Sequence, residues 1–182
     1  MNKDTKLVWI DLEMSGLNPD TDVILEIASI ITDTDLNVLE YGPHLIINQP
    51  TEILDTMNEW CKNAHTKSGL VQAVKHSTIN TLQAEQETLK FIKKHCKPQT
   101  GLLSGNSIWS DRGFLRMYMP LILEYLHYKM IDVTSIAEMV SGWYPNNPQH
   151  EYKKKDEHRA LTDILESIEE LKHLRTNFFK ES

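Results

Sequence analysis

Five side chains stand where acid–base or metal chemistry would need them. Asp11 and Glu13 are separated by one residue in "LVWIDLEMSGL", at the end of an apolar run. Burying an unpaired carboxylate is costly, so a pair at the end of a buried strand calls for water or a cation. Residues two apart on a strand project to the same side, which lets the two acids converge on one point. Gly16 loosens the backbone just beyond them. Asp111 follows the strand-and-turn stretch "LLSGNSIWSD" and heads a helix, and Asp163 falls in the first turns of the last helix, in "DEHRALTDILESI". Taken singly among 26 acidic residues, Asp111 and Asp163 read more readily as helix caps or surface charges. Four carboxylates gathered without a cation would raise one another's pKa. An oxygen-rich cluster of this kind suits Mg²⁺ or Mn²⁺.

His158 precedes Asp163 by five residues. Five helical steps leave two side chains about 140° apart around the axis, so these two would not share a face. The spacing places His158 on the loop or at the helix start, swinging toward a site that Asp163 anchors. A neutral imidazole there takes a proton from water. The other seven of the eight histidines read as surface groups.

The elements that must position these groups follow from the pattern of apolar residues. Strands are expected at 6–12, 22–33 and 36–48, β-rich and closely spaced, as in an antiparallel meander. Helices follow at 51–60, 68–76 and 79–96, the last with Leu82, Leu89, Ile92 and Cys96 on one face. A short buried strand is expected at 100–106, then helix over 111–127, ended or kinked at Pro120. Another short strand (129–133), a helix (134–143) and a polar loop (144–157) precede the final helix, with Leu161, Ile164, Leu165, Ile168, Leu171 and Leu174 at helical spacing. Leading strands followed by alternating helices and strands make an α/β domain with a mixed sheet. No repeat, linker or low-complexity tract divides the chain, so residues 1–182 read as one domain.

The bulk properties narrow the function. With 182 residues, 40% apolar and 25% charged, the chain has the makings of one globular core. It starts on a charged stretch without a signal-peptide pattern and has no apolar run able to span a bilayer. Cys61 and Cys96 are far apart, as expected of reduced thiols in a cytoplasmic protein. The net charge of −7 argues against a long basic track for nucleic acid. A phosphate-bearing partner would be short, or held through metal ions. The lysine run 153–155 reads as a solvated loop rather than a nucleic-acid patch.

"WIDLEMSGL", "GNSIWSDRGFL" and "EHRALTDILESIEEL" resemble the three exonuclease motifs of the DEDD superfamily, nearly end to end along the chain. His158 five residues before Asp163 matches the "h" branch; the "y" branch would place a tyrosine where this chain has Arg159. More narrowly, "DLEMSGL", "HTKSGLV", "GNSI", "YMP" and "LHYKMIDVTS" are similar to the oligoribonuclease family of 3′→5′ exonucleases that act on very short RNAs. Ser15 stands where relatives commonly have threonine. Lys129 stands where many have arginine, and lysine lacks the bidentate fork for phosphate.

The resemblance implies a ribonuclease H-like mixed sheet flanked by helices. It implies two divalent cations, Mg²⁺ or Mn²⁺, held by Asp11, Glu13, Asp111 and Asp163, with His158 as general base. It places Leu17 as a wedge between terminal bases, Trp60 as a stacking platform, and His65 and Ser107 as polar contacts to the terminal nucleotide. Tyr128, Lys129, Thr134 and Ser135 fall where the family caps the 5′ end, partly from the second subunit of a homodimer. The implied substrates are single-stranded dinucleotides and slightly longer RNAs, cut to nucleoside 5′-monophosphates. Two alternatives have other signatures. A proofreading or tRNA-trimming exonuclease would carry more basic surface, and a degenerate binding module would lack part of the five-residue set.

Overall fold

The computed structural model describes residues 5–153 and 158–179. Lys154 and Lys155, two of the three lysines in the basic run, lie outside the described residues. The leading meander forms as expected: β1 (Lys6–Met14), β2 (Ile24–Thr32) and β3 (Val38–Ile46) pair antiparallel. Two short strands, β4 (Gly101–Gly105) and β5 (Met130–Asp132), then add in parallel on the other side of β1. The resulting order is β3-β2-β1-β4-β5, a mixed sheet with β1 at its centre.

Helices cover both faces. Val8, Ile10 and Leu12 of β1 pack with residues of α4 (Thr81–His95), α5 (Ile108–Tyr118) and α6 (Pro120–Tyr125). Leu7 and Trp9 pack on the opposite face with α7 (Val133–Trp143) and α8 (Ala160–Phe178). Strand alternation continues that odd-numbered series into Asp11 and Glu13, so the two acids emerge on the α8 face where the apolar core runs out. A third cluster, built on Leu25, joins α1 (Thr51–Thr56), α2 (Glu59–Lys67) and α3 (Leu70–His76) at the sheet's end.

Two differences from the sequence reading bear on the site. The helix expected at 51–60 is two helices. Met57 is extended (ψ 146°), and the Asn58 side chain accepts from Cys61 N–H (2.9 Å), starting α2 afresh. This places Trp60 in the first turn of α2. Further on, α5 starts at Ile108, so Asp111 lies within its first turn. Pro120 occupies the first turn of α6, where its missing N–H costs nothing.

Candidate active site

Strand β1 delivers Asp11 and Glu13, and the acids expected beside them arrive from two helices. β4 pairs with β1 only as far as Trp9. Beyond that point Leu12 N–H, between the two acids, donates to Asp111 Oδ1 (2.9 Å), which ties the first turn of α5 to the end of β1. α8 brings Asp163. Single donor atoms of Glu13, His158 and Asp163 all lie within 4.8 Å of one another. His158, just before α8, has left-handed backbone (φ 50°), a conformation that costs a non-glycine residue roughly 1–2 kcal/mol. Its ring meets Trp60 edge-on, centroids 5.3 Å apart. The histidine is thus at the helix start and directed to Asp163's site, as its spacing implied.

The electrostatics are those of buried carboxylates acting on one another. Burial, followed by the charges of Asp111, Asp163, Glu13 and Glu26, pushes Asp11 well above the usual carboxylate range. Glu13 is pushed up to about 8 by burial, then by Asp163, Glu26 and Asp111, with Arg159 opposing. Burial raises Asp111 to about 7 even though the Leu12 N–H works against it. Carboxylates arranged so that they resist ionising together fit a hard divalent cation, which would replace mutual repulsion with attraction.

A cavity of ≈ 360 Å³ opens beside Glu13, lined in part by Leu12, Met14, Leu17, Trp60, Cys61 and His65. Leu17 is 81% exposed and Trp60 63% exposed, so neither is a core residue. Leu17 is held out by a buckled loop. The Asp22 carboxylate accepts from Asn18 N–H (3.0 Å) and the Ser15 hydroxyl (3.3 Å). A Cβ on Gly16 would meet that carboxylate at 2.4 Å. Gly16 therefore admits Asp22, beyond any loosening of the strand end. His65 is buried; its Nε2–H donates to Met14 O (2.8 Å), leaving Nδ1 3.8 Å from Glu13 Oε2.

The remaining expected contacts form a second group that does not line this cavity. Ser107 N–H donates to Thr134 Oγ1 (2.9 Å) and Asp132 Oδ1 (3.1 Å), fastening the β4–α5 turn to the start of α7. Tyr128 is 70% exposed, stacked on His127 (4.6 Å), with Lys129 Nζ 5.8 Å from its ring centroid. Ser135 is exposed on α7.

Glu26 and its partners escaped the sequence reading. Glu26 is fully buried in β2, opposite Glu13 in register. Arg159 clamps it with Nε (3.1 and 3.2 Å) and with a terminal nitrogen (2.8 Å). His44 Nε2 lies against the same carboxylate. Burial would raise Glu26, but the hydrogen bonds from His44 and Arg159 outweigh it and hold the group below its ordinary value. An acid inside "ILEIASII" was the same signal that singled out Asp11.

The Exonuclease family model matches residues 8–171 of this chain. The human protein named "Oligoribonuclease, mitochondrial" is 50% identical over 175 residues, covering 96% of this chain and 74% of that protein. The chain belongs to the oligoribonuclease family. A second member, the oligoribonuclease of Marinobacter nauticus, is 47% identical over 99% of both chains. Among solved structures, exonuclease I of E. coli in complex with a 5cy-dT13 oligonucleotide superposes with a TM-score of 0.72 at 16% identity. That match covers 96% of this chain and 41% of exonuclease I, and it shows the common ribonuclease H-like fold. The β1 acids of this oligoribonuclease-family chain thus sit at the centre of an exonuclease sheet.

Proposed function

We propose that this chain is a 3′→5′ exoribonuclease of very short single-stranded RNAs, dinucleotides foremost, releasing nucleoside 5′-monophosphates. The carrying observation is the convergence of Glu13, His158 and Asp163 beside a cavity rimmed by exposed Leu17 and Trp60. Asp11, Glu13, Asp111 and Asp163 would hold two divalent cations, Mg²⁺ or Mn²⁺. Such a pair, when bound, acidifies water and neutralises charge on a phosphodiester. His158 takes the proton of the attacking water. The water oxygen bonds to phosphorus, the P–O3′ bond breaks, and the 3′-oxygen leaves on the shortened RNA, taking a proton from solvent water to become the new 3′-hydroxyl.

Trp60 and Leu17 hold the terminal bases. Stacking on an aromatic contributes about 1–3 kcal/mol per base and tolerates any base, as sequence-independent trimming requires. His65 and Ser107 contact the terminal nucleotide. Tyr128, Lys129, Thr134 and Ser135 cap the 5′ end, with Tyr128 reaching across a homodimer. None of these four lines the cavity within one chain, which supports a role for a second subunit. The whole sequence acts as one domain. No helix among the described residues is long and apolar enough to cross a membrane; the proposed place of work is the cytoplasm. End-labelled RNAs of two to twenty nucleotides, digested with and without Mg²⁺, test this reading. Cation-dependent release of 5′-monophosphates, fastest on the shortest RNAs, is expected; preference for the longest would overturn it.

A further inference from the structure

The catalytic acids and His158 account for only part of the buried polar structure at this end of the sheet. Glu26, Arg159 and His44 form a separate unit that joins β2, β3 and the start of α8. Its geometry is directed at one point in the chain. Arg159 is the residue immediately after His158 and the N-cap of α8, with extended backbone (φ −135°, ψ 121°) and no side-chain cap of its own. Glu26 supplies the missing cap from β2. Its Oε2 lies 3.5 Å from Ala160 N, the first helical amide, while the Arg159 fork takes both carboxylate oxygens. A negative group at a helix N-terminus is favourable, and a bidentate guanidinium fixes orientation as well as distance.

His158 needs such support. Its left-handed backbone is sparsely populated for a non-glycine residue, and a conformation of that kind persists only where its surroundings over-determine it. On one side Trp60 bears on the ring. On the other, the clamped Arg159 fixes the very next peptide. Glu26 is fully buried and the Arg159 side chain 30% exposed, so the clamp is anchored in the sheet and not on a solvated surface.

Resting on the proposed role of His158 as general base, we propose that Arg159, clamped by Glu26 with His44 behind it, is a positioning residue that sets the backbone of His158 for proton transfer. Removing the fork frees the strained peptide. The imidazole then spends less time aimed at the water, while the acids of β1 and α5 and the base-binding rim stay in place. The expected signature is a loss in kcat with little change in KM.

A double-mutant cycle tests this against a merely structural role. In the otherwise unaltered chain, Arg159→Met is expected to lower kcat for a dinucleotide by about 10²-fold, the scale of a small misplacement of a reacting group. Combined with His158→Ala, it should cost no more than about twofold further, since the group it positions is gone. Equal losses in both backgrounds would overturn the proposal, because the effect would then run through Glu13, Asp163 or the fold as a whole. So would an unchanged kcat for Arg159→Met alone. Should Arg159→Met fail to fold, Arg159→Lys, which keeps the charge and loses the fork, takes its place in the same cycle, and the same two results would overturn the proposal. Full activity in His158→Ala alone would instead strike at the general-base reading, so the two failures are separable.

Discussion

The acids of β1 make the metal-free protein lose stability as the pH rises, and a divalent cation should reverse that. Glu13 has an ordinary value of 4.5 and is pushed up to about 8 in the folded chain, where its side chain is only 12% exposed. A folded-state value above the unfolded one means that the folded protein holds the extra proton. Glu13's contribution is therefore fully present below its unfolded value and is lost as the pH rises through the folded one. Each pH unit in that window costs about 1.4 kcal/mol, or about 4 kcal/mol between pH 5 and pH 8. With a urea slope of about 2 kcal/mol per molar, the unfolding midpoint in EDTA should fall by about 2 M. His65 acts in the opposite sense, since burial lowers its pKa and its contribution grows as the pH rises. The measured quantity is thus the difference between the unsubstituted chain and Glu13→Gln, which leaves His65 in place. Saturating Mn²⁺ should flatten the fall, and calorimetry in two buffers should show protons released on binding near pH 7. Parallel midpoints for the two proteins from pH 5 to pH 8 in EDTA would refute the convergence of these acids.

His158→Ala should lower kcat by about 10²–10⁴-fold, the usual worth of a positioned base, while Mn²⁺ titration still shows binding; loss of the metals would make His158 a ligand. Leu17→Ala should leave the melting temperature unchanged, since the side chain is 81% exposed, yet weaken binding of a non-hydrolysable dinucleotide by about tenfold or more. Tyr128→Ala should impair dinucleotide cleavage with the metal site still loaded, and light scattering should give a dimeric mass; a fully active monomer would contradict the shared 5′ cap.

How much of this was legible in the sequence depended on how local the cause was. The alternation of β1 is local, and it put Asp11 and Glu13 on one side before any partner was known. The same holds for Pro120 at the start of α6. The break between α1 and α2 was missed because it rests on one asparagine cap, a short-range signal weaker than the apolar spacing around it. The sequence reading began β2 at residue 22, whereas Asp22 is turned back onto Ser15 and Asn18 and the strand starts at Ile24. Glu26 and Arg159 stand 133 residues apart, and nothing in either neighbourhood announces the other. Family resemblance supplied the roles of Leu17 and Trp60. Their exposure places both side chains outside the core.

The division among these buried acids carries its own argument. Glu26 is as deeply enclosed as any of them, yet it stays ionised because the chain provides Arg159 and His44 as partners. Asp11, Glu13 and Asp111 share that end of the sheet, and among the described residues no lysine or arginine forms an ion pair with them. Burial, and after it the charges of neighbouring carboxylates, raises their pKa values. A fold able to neutralise one buried carboxylate with a fork and an imidazole has given these three no such fork, and one of them, Glu13, lines a cavity. That arrangement is costly for the protein alone and becomes favourable once external positive charge arrives. It also reconciles the net charge of −7 with a phosphate-bearing substrate. The attraction would be centred on bound cations, with no long basic track required.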